Sequence, residues 1–339
     1  GGGGRGMRLV HTLDELKTAL SSARREALKA FDSDVVYLER AVLRPRHVEI
    51  QVFGDHQGNA IHLYERDCSI QRRHQKVIEE TPAPLADKAQ GLLPEMANAA
   101  RLATQHLGYV GAGTMEFLVS EEDNAFYFLE MNTRIQVEHP ITELTTGLDL
   151  VEEQIRVAAG QSLQYQQKDI QRFGHAIECR VYAESPERGF LPSPGKIEIL
   201  REPSGANIRN DTGYYQGAEV PTAYDALISK LCAWGPTRQT AINRMHRALH
   251  EYAVTGIDTN LVFLSNVMIH KAFQSGSYAT DFIERYPETL LPPNTDKHAQ
   301  KALAIVAGHA HQRKSTLTSP PTPQTTSISA WRRAICEPS

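Results

Sequence analysis

Two glutamates flank a polar turn in a way that could place both beside one metal ion. Residues 113–130 contain two runs rich in β-branched and aromatic side chains around a polar turn, which predicts a β-hairpin. Glu116 and Glu130 are equidistant from Asp123 at the tip, so a symmetric register places them opposite each other. Directly opposed like charges destabilise an antiparallel pair unless a cation lies between them. Oxygen ligands favour magnesium or manganese over zinc, and Asn132 adds a third oxygen on the same face.

The segment after this hairpin favours a functional site over a pair of solvated glutamates on an open sheet face. Glutamates on an open sheet face are the ordinary interpretation of such a pair. Here, however, residues 131–140 place Asn, Arg, Gln, Glu and His on a loop immediately after the second strand. Catalytic groups tend to lie on loops that a rigid scaffold positions. The context therefore favours a functional metal site.

A basic run over residues 65–76 has two interpretations. It reads Glu-Arg-Asp-Cys-Ser-Ile-Gln-Arg-Arg-His-Gln-Lys. Most charge runs are solvated surface loops. Arginine and lysine also suit phosphate and carboxylate ligands, arginine through bidentate pairing and lysine as a point charge. Composition alone leaves the choice between a surface loop and an anion site open.

The glycine tract at residues 1–6 is equally open. Consecutive glycines commonly form a flexible linker. A strand and helix pattern follows at once, so the tract could instead be a loop whose backbone amides grip phosphates. It does not match the Walker or dinucleotide fingerprints. Alone it favours neither interpretation.

The elements that must position these groups mix strands and helices. A Thr12–Glu15 capping box predicts the start of a helix over 12–31. A Gln-rich stretch at 161–171 is typical of a linker, after which a second α+β pattern begins. Other predicted strands cover 7–10, 47–53, 60–64, 175–182, 196–200, 219–221 and 226–234, and other helices cover 94–107, 149–160 and a segment capped by Thr237. The fold class is α+β.

Composition restricts the partners. The 339 residues carry a formal net charge of −4 with no basic excess, which favours small molecules or proteins over nucleic acid. No apolar run approaches the ~20 residues of a membrane span, and no signal peptide opens the chain, so a cytoplasmic location is expected. The four cysteines are scattered, which indicates neither a zinc site nor a disulfide framework.

Taken together, these stretches resemble the biotin carboxylase family of ATP-grasp enzymes. The likeness covers residue 1 to about residue 291. The motifs that carry it are Gly-Gly-Gly-Gly-Arg-Gly-Met-Arg at 1–8, Pro-Arg-His-Val-Glu-Ile-Gln-Val at 45–52, the basic run at 65–76, Glu-Met-Asn-Thr-Arg-Ile-Gln-Val-Glu-His-Pro at 130–140 and Gly-His-Ala-Ile-Glu-Cys-Arg at 174–180.

The resemblance implies a role for each matched residue. Gly3 and Gly4 lie in the lid loop over the phosphates, and Glu39 and Val42 border the adenine. The remaining implied sites are His47, Gln71 and His74 at the nucleotide, Glu116 and Glu130 at nucleotide and metal, Asn132 at the metal, and Lys76, Arg134, Gln136, Val137 and Glu138 at bicarbonate. Arg180 matches the residue that stabilises the biotin enolate.

The resemblance also implies a mechanism and its cofactors. Glu138 acts as the general base on bicarbonate, which attacks the γ-phosphate of ATP to give carboxyphosphate near Arg134 and two magnesium or manganese ions. Carbon dioxide then carboxylates N1 of biotin, with Arg180 at the enolate. No Ala-Met-Lys-Met attachment sequence is present, so the biotin belongs to a carrier protein or domain outside this chain.

Four segments are expected, and the resemblance implies that the front of the fold is missing. They are a lid remnant at 1–41, the metal, nucleotide and bicarbonate half of a partial ATP-grasp fold at 42–160, a biotin carboxylase C-terminal α+β domain at 174–291, and a tail with a disordered Ser/Thr/Pro linker at 292–339. Family members carry phosphate-binding lysines before the glycine loop. We therefore expect this polypeptide alone to have little or no turnover.

Partners and rival functions follow from the same resemblance. The expected partners are a second copy of the enzyme, a biotin carboxyl carrier and a carboxyltransferase subunit. The connector at 314–334 favours an acetyl-, propionyl- or methylcrotonyl-CoA carboxylase as the parent. One alternative is another ATP-grasp ligase, such as a carbamoyl phosphate synthetase or a purine-pathway carboxylase. Arg180 and residues 74–76 match biotin carboxylases and so distinguish the two possibilities. Another alternative is a non-catalytic remnant that serves only in the association of subunits.

Overall fold

A computed structural model describes residues 6–291, apart from the side chain of Lys88. Gly3, Gly4 and the predicted tail at 292–339 lie outside the described residues. The strands are β1 (Arg46–Gly54), β2 (Ala60–Arg72), β3 (Gln75–Thr81), β4 (Gly111–Ser120), β5 (Ala125–Asn132), β6 (His175–Tyr182), β7 (Glu184–Ser185), β8 (Leu191–Pro192), β9 (Gly195–Lys196), β10 (Ile199–Arg201), β11 (Ile208–Thr212), β12 (Glu219–Val220), β13 (Leu227–Gly235) and β14 (Ala253–Thr255).

The described residues also form α-helices. They are α1 (Leu13–Phe31), α2 (Asp87–Gln90), α3 (Leu92–His106), α4 (His139–Thr146), α5 (Leu150–Ala158), α6 (Arg238–Glu251), α7 (Leu261–Ile269), α8 (Lys271–Gln274), α9 (Phe282–Arg285) and α10 (Pro287–Leu290). Across residues 6–291, every helix is too short or too polar to cross a lipid bilayer.

One eight-stranded antiparallel sheet carries the site. Its strand order is β11-β13-β6-β3-β2-β1-β4-β5. The predicted strands at 175–182 and 226–234 enter this same sheet as β6 and β13, because β6 pairs with β3 on one side and with β13 on the other. The strands predicted at 196–200 and 219–221 instead lie in separate two-stranded sheets. The sheet is thus continuous across the predicted boundary, and the four-segment division stays a prediction.

Strand β1 has two buried faces with different chemistry. Successive side chains of a strand point to opposite faces, so its alternating sequence separates apolar from polar groups. Val48, Ile50 and Val52 pack with Met96 of α3 in one core cluster. The intervening residues His47, Glu49 and Gln51 are buried on the other face. Burial of polar groups requires hydrogen-bond partners, which the neighbouring strands supply.

Two predictions near the start of the chain are wrong. Residues 7–10 form no strand in the described structure, and the side chains of Met7 and Leu9 are exposed instead of packed against a neighbour. Helix α1 begins as predicted, but Thr12 makes no side-chain capping hydrogen bond. The carboxylate of Glu15 accepts from the backbone N–H of His11, one residue earlier than the capping box requires.

The other helix caps and hairpins follow the predictions. Asp149 accepts from the backbone N–H of Glu152, and Thr237 accepts from that of Thr240. The Gln-rich stretch is more ordered than a free linker, because the Gln167 side chain exchanges two hydrogen bonds with the backbone of His62 in β2. The predicted strand at 196–200 is instead split between β9 and β10, which pair with different partners.

Candidate active site

Four charged side chains form a row across β2, β1, β4 and the edge strand β5. Arg66 of β2 is the register partner of Glu49 in β1, and Glu49 is the partner of Glu116 in β4. Glu116 in turn faces Glu130 in β5, which confirms the register predicted from the hairpin spacing. Three carboxylates therefore lie side by side, an arrangement that requires positive charge nearby.

Lys76 supplies the positive charge at the centre of the row. Its ammonium group donates to Glu49 Oε2 at 2.5 Å, to Glu116 Oε1 at 2.7 Å and to Glu138 Oε1 at 2.7 Å. Burial opposes the charged lysine, but these carboxylates raise the pKa of Lys76 well above its usual value. Burial would also raise the pKa of Glu49, yet the charges of Lys76 and Arg66 lower it to about 2. The cluster is a set of ions held together by mutual attraction.

Arg66 fixes the polar groups around Glu49. It is fully buried, and its Nε donates to Glu49 Oε1 at 2.6 Å. Its terminal nitrogens donate to Gln51, Thr142, Thr114 and Gln136. Gln136 then donates from Nε2 to Glu116 Oε1 at 2.8 Å. The planar guanidinium thus holds strand and loop in one geometry, which a lysine could not reproduce.

Glu138 lies between Lys76 and Arg180. It immediately precedes α4, and its side chain is almost fully buried. One carboxylate oxygen accepts from Lys76, and the other accepts from Arg180 at 3.0 Å. Arg180 also donates from Nε to Glu79 Oε1 at 2.6 Å. Lys76 of β3 and Arg180 of β6 therefore bond the same carboxylate, that of Glu138 just before α4.

His47 and Gln71 border the same cluster. Gln71 Nε2 lies 2.7 Å from His47 Nδ1, and His47 Nε2 lies 2.9 Å from Glu116 Oε2. Burial opposes the charged form of Glu116, but the contacts of His47 and Lys76 hold the pKa of this carboxyl well below its usual value. Glu116 is therefore a carboxylate with positive and polar groups on several sides.

The outer end of the row is open to solvent. Glu130 is exposed, and the Asn132 amide bridges it to Glu116 with N–O distances of 3.4 Å and 3.1 Å. Arg134 donates to Asn132 Oδ1 at 3.3 Å and is exposed as well. Two opposed carboxylates and an amide at an accessible edge are a donor set that fits magnesium or manganese. Glu116 also bonds Lys76, so it links the inner cation to this outer pair, which could hold a divalent ion at its solvent-exposed side.

Other predicted residues stand apart from this hydrogen-bonded cluster. Glu39 is exposed and Val42 half-buried on the extended segment before β1. His74 is exposed at the β2–β3 turn with a positive φ of 64°. The backbone carbonyl of Val137 accepts from Lys230 Nζ at 3.2 Å, outside the cluster. The described contacts bring together the residues predicted for the metal and, apart from Val137, those predicted for bicarbonate. They do not include Glu39, Val42 or His74, which were predicted for the nucleotide.

Sequence reasoning missed several residues of the cluster. Glu49, Arg66 and Glu79 are fully buried and bonded to predicted site residues. A signal for Glu49 was present, since His47, Glu49 and Gln51 alternate with valine and isoleucine on a strand. Polar residues at every second position of an otherwise apolar strand indicate a buried polar face. Arg66 lay in the basic run at 65–76, whose role composition left open. Glu79 lacked a signal, because its partner Arg180 is 101 residues away in sequence.

Two family patterns match the chain. "Carbamoyl-phosphate synthase L chain, ATP binding domain" matches residues 1–166, and "Biotin carboxylase C-terminal domain" matches residues 178–285. The second match covers Arg180 and β13, one of the two strands that pair with β6. It therefore disfavours a carbamoyl phosphate synthetase-like ligase, one of the alternatives that the sequence left open.

Curated relatives extend beyond this chain. A pyruvate carboxylase subunit of Methanothermobacter thermautotrophicus is 53% identical over 286 residues, which is 84% of this chain and 57% of that protein. The mitochondrial methylcrotonoyl-CoA carboxylase alpha subunit of Rattus norvegicus is 46% identical over 315 residues, which is 90% of this chain and 43% of that protein. The chain thus spans about half the length of these relatives.

A solved structure shares the fold. The biotin carboxylase domain dimer of Hydrogenobacter thermophilus 2-oxoglutarate carboxylase superimposes with a TM-score of 0.82 at 44% identity. The match covers 87% of this chain and 64% of that chain. That protein was solved in complex with magnesium ADP, ADP and bicarbonate.

Proposed function

This chain belongs to the biotin carboxylase family, and we propose that it carries the metal-binding and bicarbonate-activating part of a site that carboxylates biotin at the expense of ATP. The observation that carries the proposal is the position of Glu138 between Lys76 and Arg180. A buried carboxylate with a cation on each oxygen is held in one orientation, as a general base must be.

Glu138 is the proposed base. Its carboxylate accepts the bicarbonate proton, and the freed oxygen attacks the γ-phosphate of ATP to give carboxyphosphate and ADP. The bicarbonate is proposed to be held by Lys76, Arg134, Gln136 and the backbone of Val137. Arginine and lysine suit this role because their N–H groups neutralise and orient a carboxylate-like anion. Positioning of this kind supplies much of the rate of phosphoryl transfer.

The nucleotide end of the site is built from the outer residues. Glu116, Glu130 and Asn132 would hold magnesium or manganese, which supplies charge neutralisation to the phosphates when bound. His47 and Gln71 lie beside Glu116 and are proposed nucleotide contacts. His74, Glu39, Val42, Gly3 and Gly4 complete the proposed nucleotide set.

Arg180 is the proposed partner of biotin. Carboxyphosphate releases carbon dioxide and phosphate, the phosphate removes the N1 proton of biotin, and N1 attacks the carbon dioxide. The negative charge on the ureido oxygen would lie against Arg180, whose guanidinium is fixed by Glu79 and Glu138. A preorganised cation of this kind stabilises charge that develops in the transition state.

The partners are proposed from the relatives, and the location from the buried cysteines. The relatives include pyruvate and methylcrotonoyl-CoA carboxylase subunits, so a separate carboxyltransferase is proposed to choose the final acceptor. The biotin would reside on a carrier protein or domain. A homodimer is proposed, because the Hydrogenobacter domain is described as a dimer. Three buried free cysteines fit a reducing compartment such as the cytoplasm.

The test is ADP release from the full-length gene product with magnesium. We expect a rate that requires both bicarbonate and free biotin, and that is lost in Arg180→Met when biotin is the acceptor. The matched control is Arg188→Met, since Arg188 forms only an exposed ion pair with Asp258. Release that is independent of biotin would contradict the proposal.

A further inference from the structure

Two buried glutamates behind Arg180 each leave one carboxyl oxygen without a partner. Glu79 of β3 and Glu178 of β6 are direct register partners, and both side chains are fully buried. Among the described residues, Glu79 Oε2 and Glu178 Oε1 have no hydrogen-bond partner. Side chains directly opposed across an antiparallel pair have Cβ atoms about 5 Å apart, within reach of each other. Buried polar atoms are rarely left unpaired, so these two oxygens require an explanation.

The cations near the pair already serve other groups, and one of them, Lys76, bonds Glu49, Glu116 and Glu138. Arg180 donates to Glu79 Oε1 and also to Glu138, so it already serves two anions. Lys230 bonds the Val137 carbonyl and forms an ion pair with Asp211. The described hydrogen-bond donor to the Glu178 side chain is the Cys232 thiol, which donates to Oε2 at 3.3 Å. A buried carboxylate without a cation is costly, and such a group keeps its proton instead.

We propose that Glu178 is a neutral carboxylic acid that donates its proton from Oε1 to Glu79 Oε2. One hydrogen bond then satisfies both unpaired oxygens. It fixes the Glu79 carboxylate, which in turn fixes the Arg180 guanidinium toward Glu138. Glu178 is thus a positioning residue for Arg180, and its functional consequence rests on the proposed role of Arg180 toward biotin.

The surroundings of Glu178 support a retained proton. The charged and titratable groups that face it are Glu79 on β3, Arg180 on β6, Lys230 and Cys232 on β13, and Glu138 before α4. Helix α4 contributes the apolar side chain of Ile141, which packs with Ala176 and Cys232. Burial raises the pKa of Glu178 well above its usual value and that of Glu79 to about 7. Both shifts favour retention of a proton by the pair.

The first test compares Glu178→Gln with Glu178→Met in the full-length protein. An amide N–H can replace the acid as donor to Glu79, whereas methionine cannot. We expect the glutamine variant to keep the pH profile of biotin-dependent ADP release. In the methionine variant Glu79 loses a donor to its charged form, so its pKa rises. The acid limb of that profile should move by about one unit to higher pH, with a rate loss on the order of tenfold from a misplaced Arg180.

Two controls separate positioning from a folding defect. Glu153→Gln alters another buried carboxyl whose oxygens have no described partner, on α5, and should leave the pH profile unchanged. The thermal unfolding midpoint of each variant shows whether it is folded at the assay temperature. A shift of equal size in the glutamine and methionine variants, or no shift in a folded methionine variant, would overturn the inference.

A second measurement detects the proton on Glu178 without an activity assay. The infrared difference spectrum between this chain and its Glu178→Gln variant at pH 7 should contain the carbonyl stretch of a protonated carboxyl that is lost on substitution. Appearance of carboxylate bands in its place would show that Glu178 is ionised and overturn the inference. If the spectrum shows the acid but the full-length protein lacks biotin-dependent ADP release, the proposed function fails and the shared proton remains.

Discussion

Lys76 Nζ lies 2.7 Å from Glu138 Oε1, which joins the central cation of the site to its proposed base. The same nitrogen bonds Glu49 and Glu116, so one side chain neutralises three carboxylates drawn from β1, β4 and the loop before α4. The site is therefore an electrostatic unit, and its members should respond to substitution together.

Replacing Lys76 by methionine should destabilise the fold as well as the reaction. The change leaves three neighbouring carboxylates without their shared cation, and breaking such a buried contact costs about 3–5 kcal/mol of unfolding free energy. Urea unfolding of this chain measures the loss. Lys168→Met is the control, because Lys168 is exposed and should change stability by less than about 0.5 kcal/mol. Adding Glu49→Gln to Lys76→Met should recover part of the loss, and two fully additive effects would contradict the cluster.

Arg66→Lys should behave as a severe change although the charge is kept. A lysine cannot bond Glu49, Gln51, Thr142 and Gln136 at once, so buried acceptors lose their donors at about 1–3 kcal/mol each. Thermal or urea unfolding gives the size of the effect. The matched substitution Arg247→Lys affects an exposed helical pair with Glu251 and should be nearly neutral. Equal stabilities of the two variants would argue against the role of Arg66.

The depressed pKa of Glu49 gives stability that depends on pH. Its pKa is lowered to about 2, against an ordinary value of 4.5. The stabilisation is thus present above pH 4.5 and is lost as the pH falls toward 2, with a full size on the order of 3 kcal/mol. The measurement is the difference in unfolding free energy between wild type and Glu49→Gln across this range. A difference that stays constant from pH 6 to pH 3 would show that Glu49 is not the ionised partner of Lys76.

Glu130→Gln should weaken metal-dependent nucleotide binding while leaving the fold intact. Glu130 is exposed at the open end of the carboxylate row, so stability should change by less than about 0.5 kcal/mol. Loss of one proposed metal ligand should weaken binding of magnesium ADP to the full-length protein by about 10–100-fold, as measured by calorimetry. Glu122→Gln on the same hairpin is the control. If both variants bind magnesium ADP equally well, Glu130 is not a metal ligand.

The sequence predicted local features of the site better than distant pairings. The spacing of Glu116 and Glu130 around one turn was enough to give their register, because a hairpin is a local structure. The meeting of Glu79 with Arg180 depends on β3 pairing with β6, about 100 residues later in the chain. The sequence around Glu79 and Arg180 does not indicate that β3 and β6 pair. The ion network that unites the site was therefore visible only in three dimensions.

Errors at the start of the chain have a different cause. Residues 7–10 are mostly apolar, as in a strand, but a strand needs a neighbour to satisfy its backbone groups. The side chains of Met7 and Leu9 are exposed, and the segment pairs with no described strand. Periodicity indicates which face of a segment is apolar, and it does not show whether a partner is present.

The most direct test of the proposed base is carboxylation of biotin by the full-length protein, followed as transfer of labelled bicarbonate in wild type and Glu138→Gln. The matched control is Glu143→Gln, which alters a carboxylate on α4 that pairs with Arg209 outside the cluster. We predict that Glu138→Gln lowers the rate by at least about 100-fold, as expected for loss of a general base, while Glu143→Gln retains most of it. Carboxylation by Glu138→Gln at a rate near wild type would contradict the assignment of Glu138 as the base.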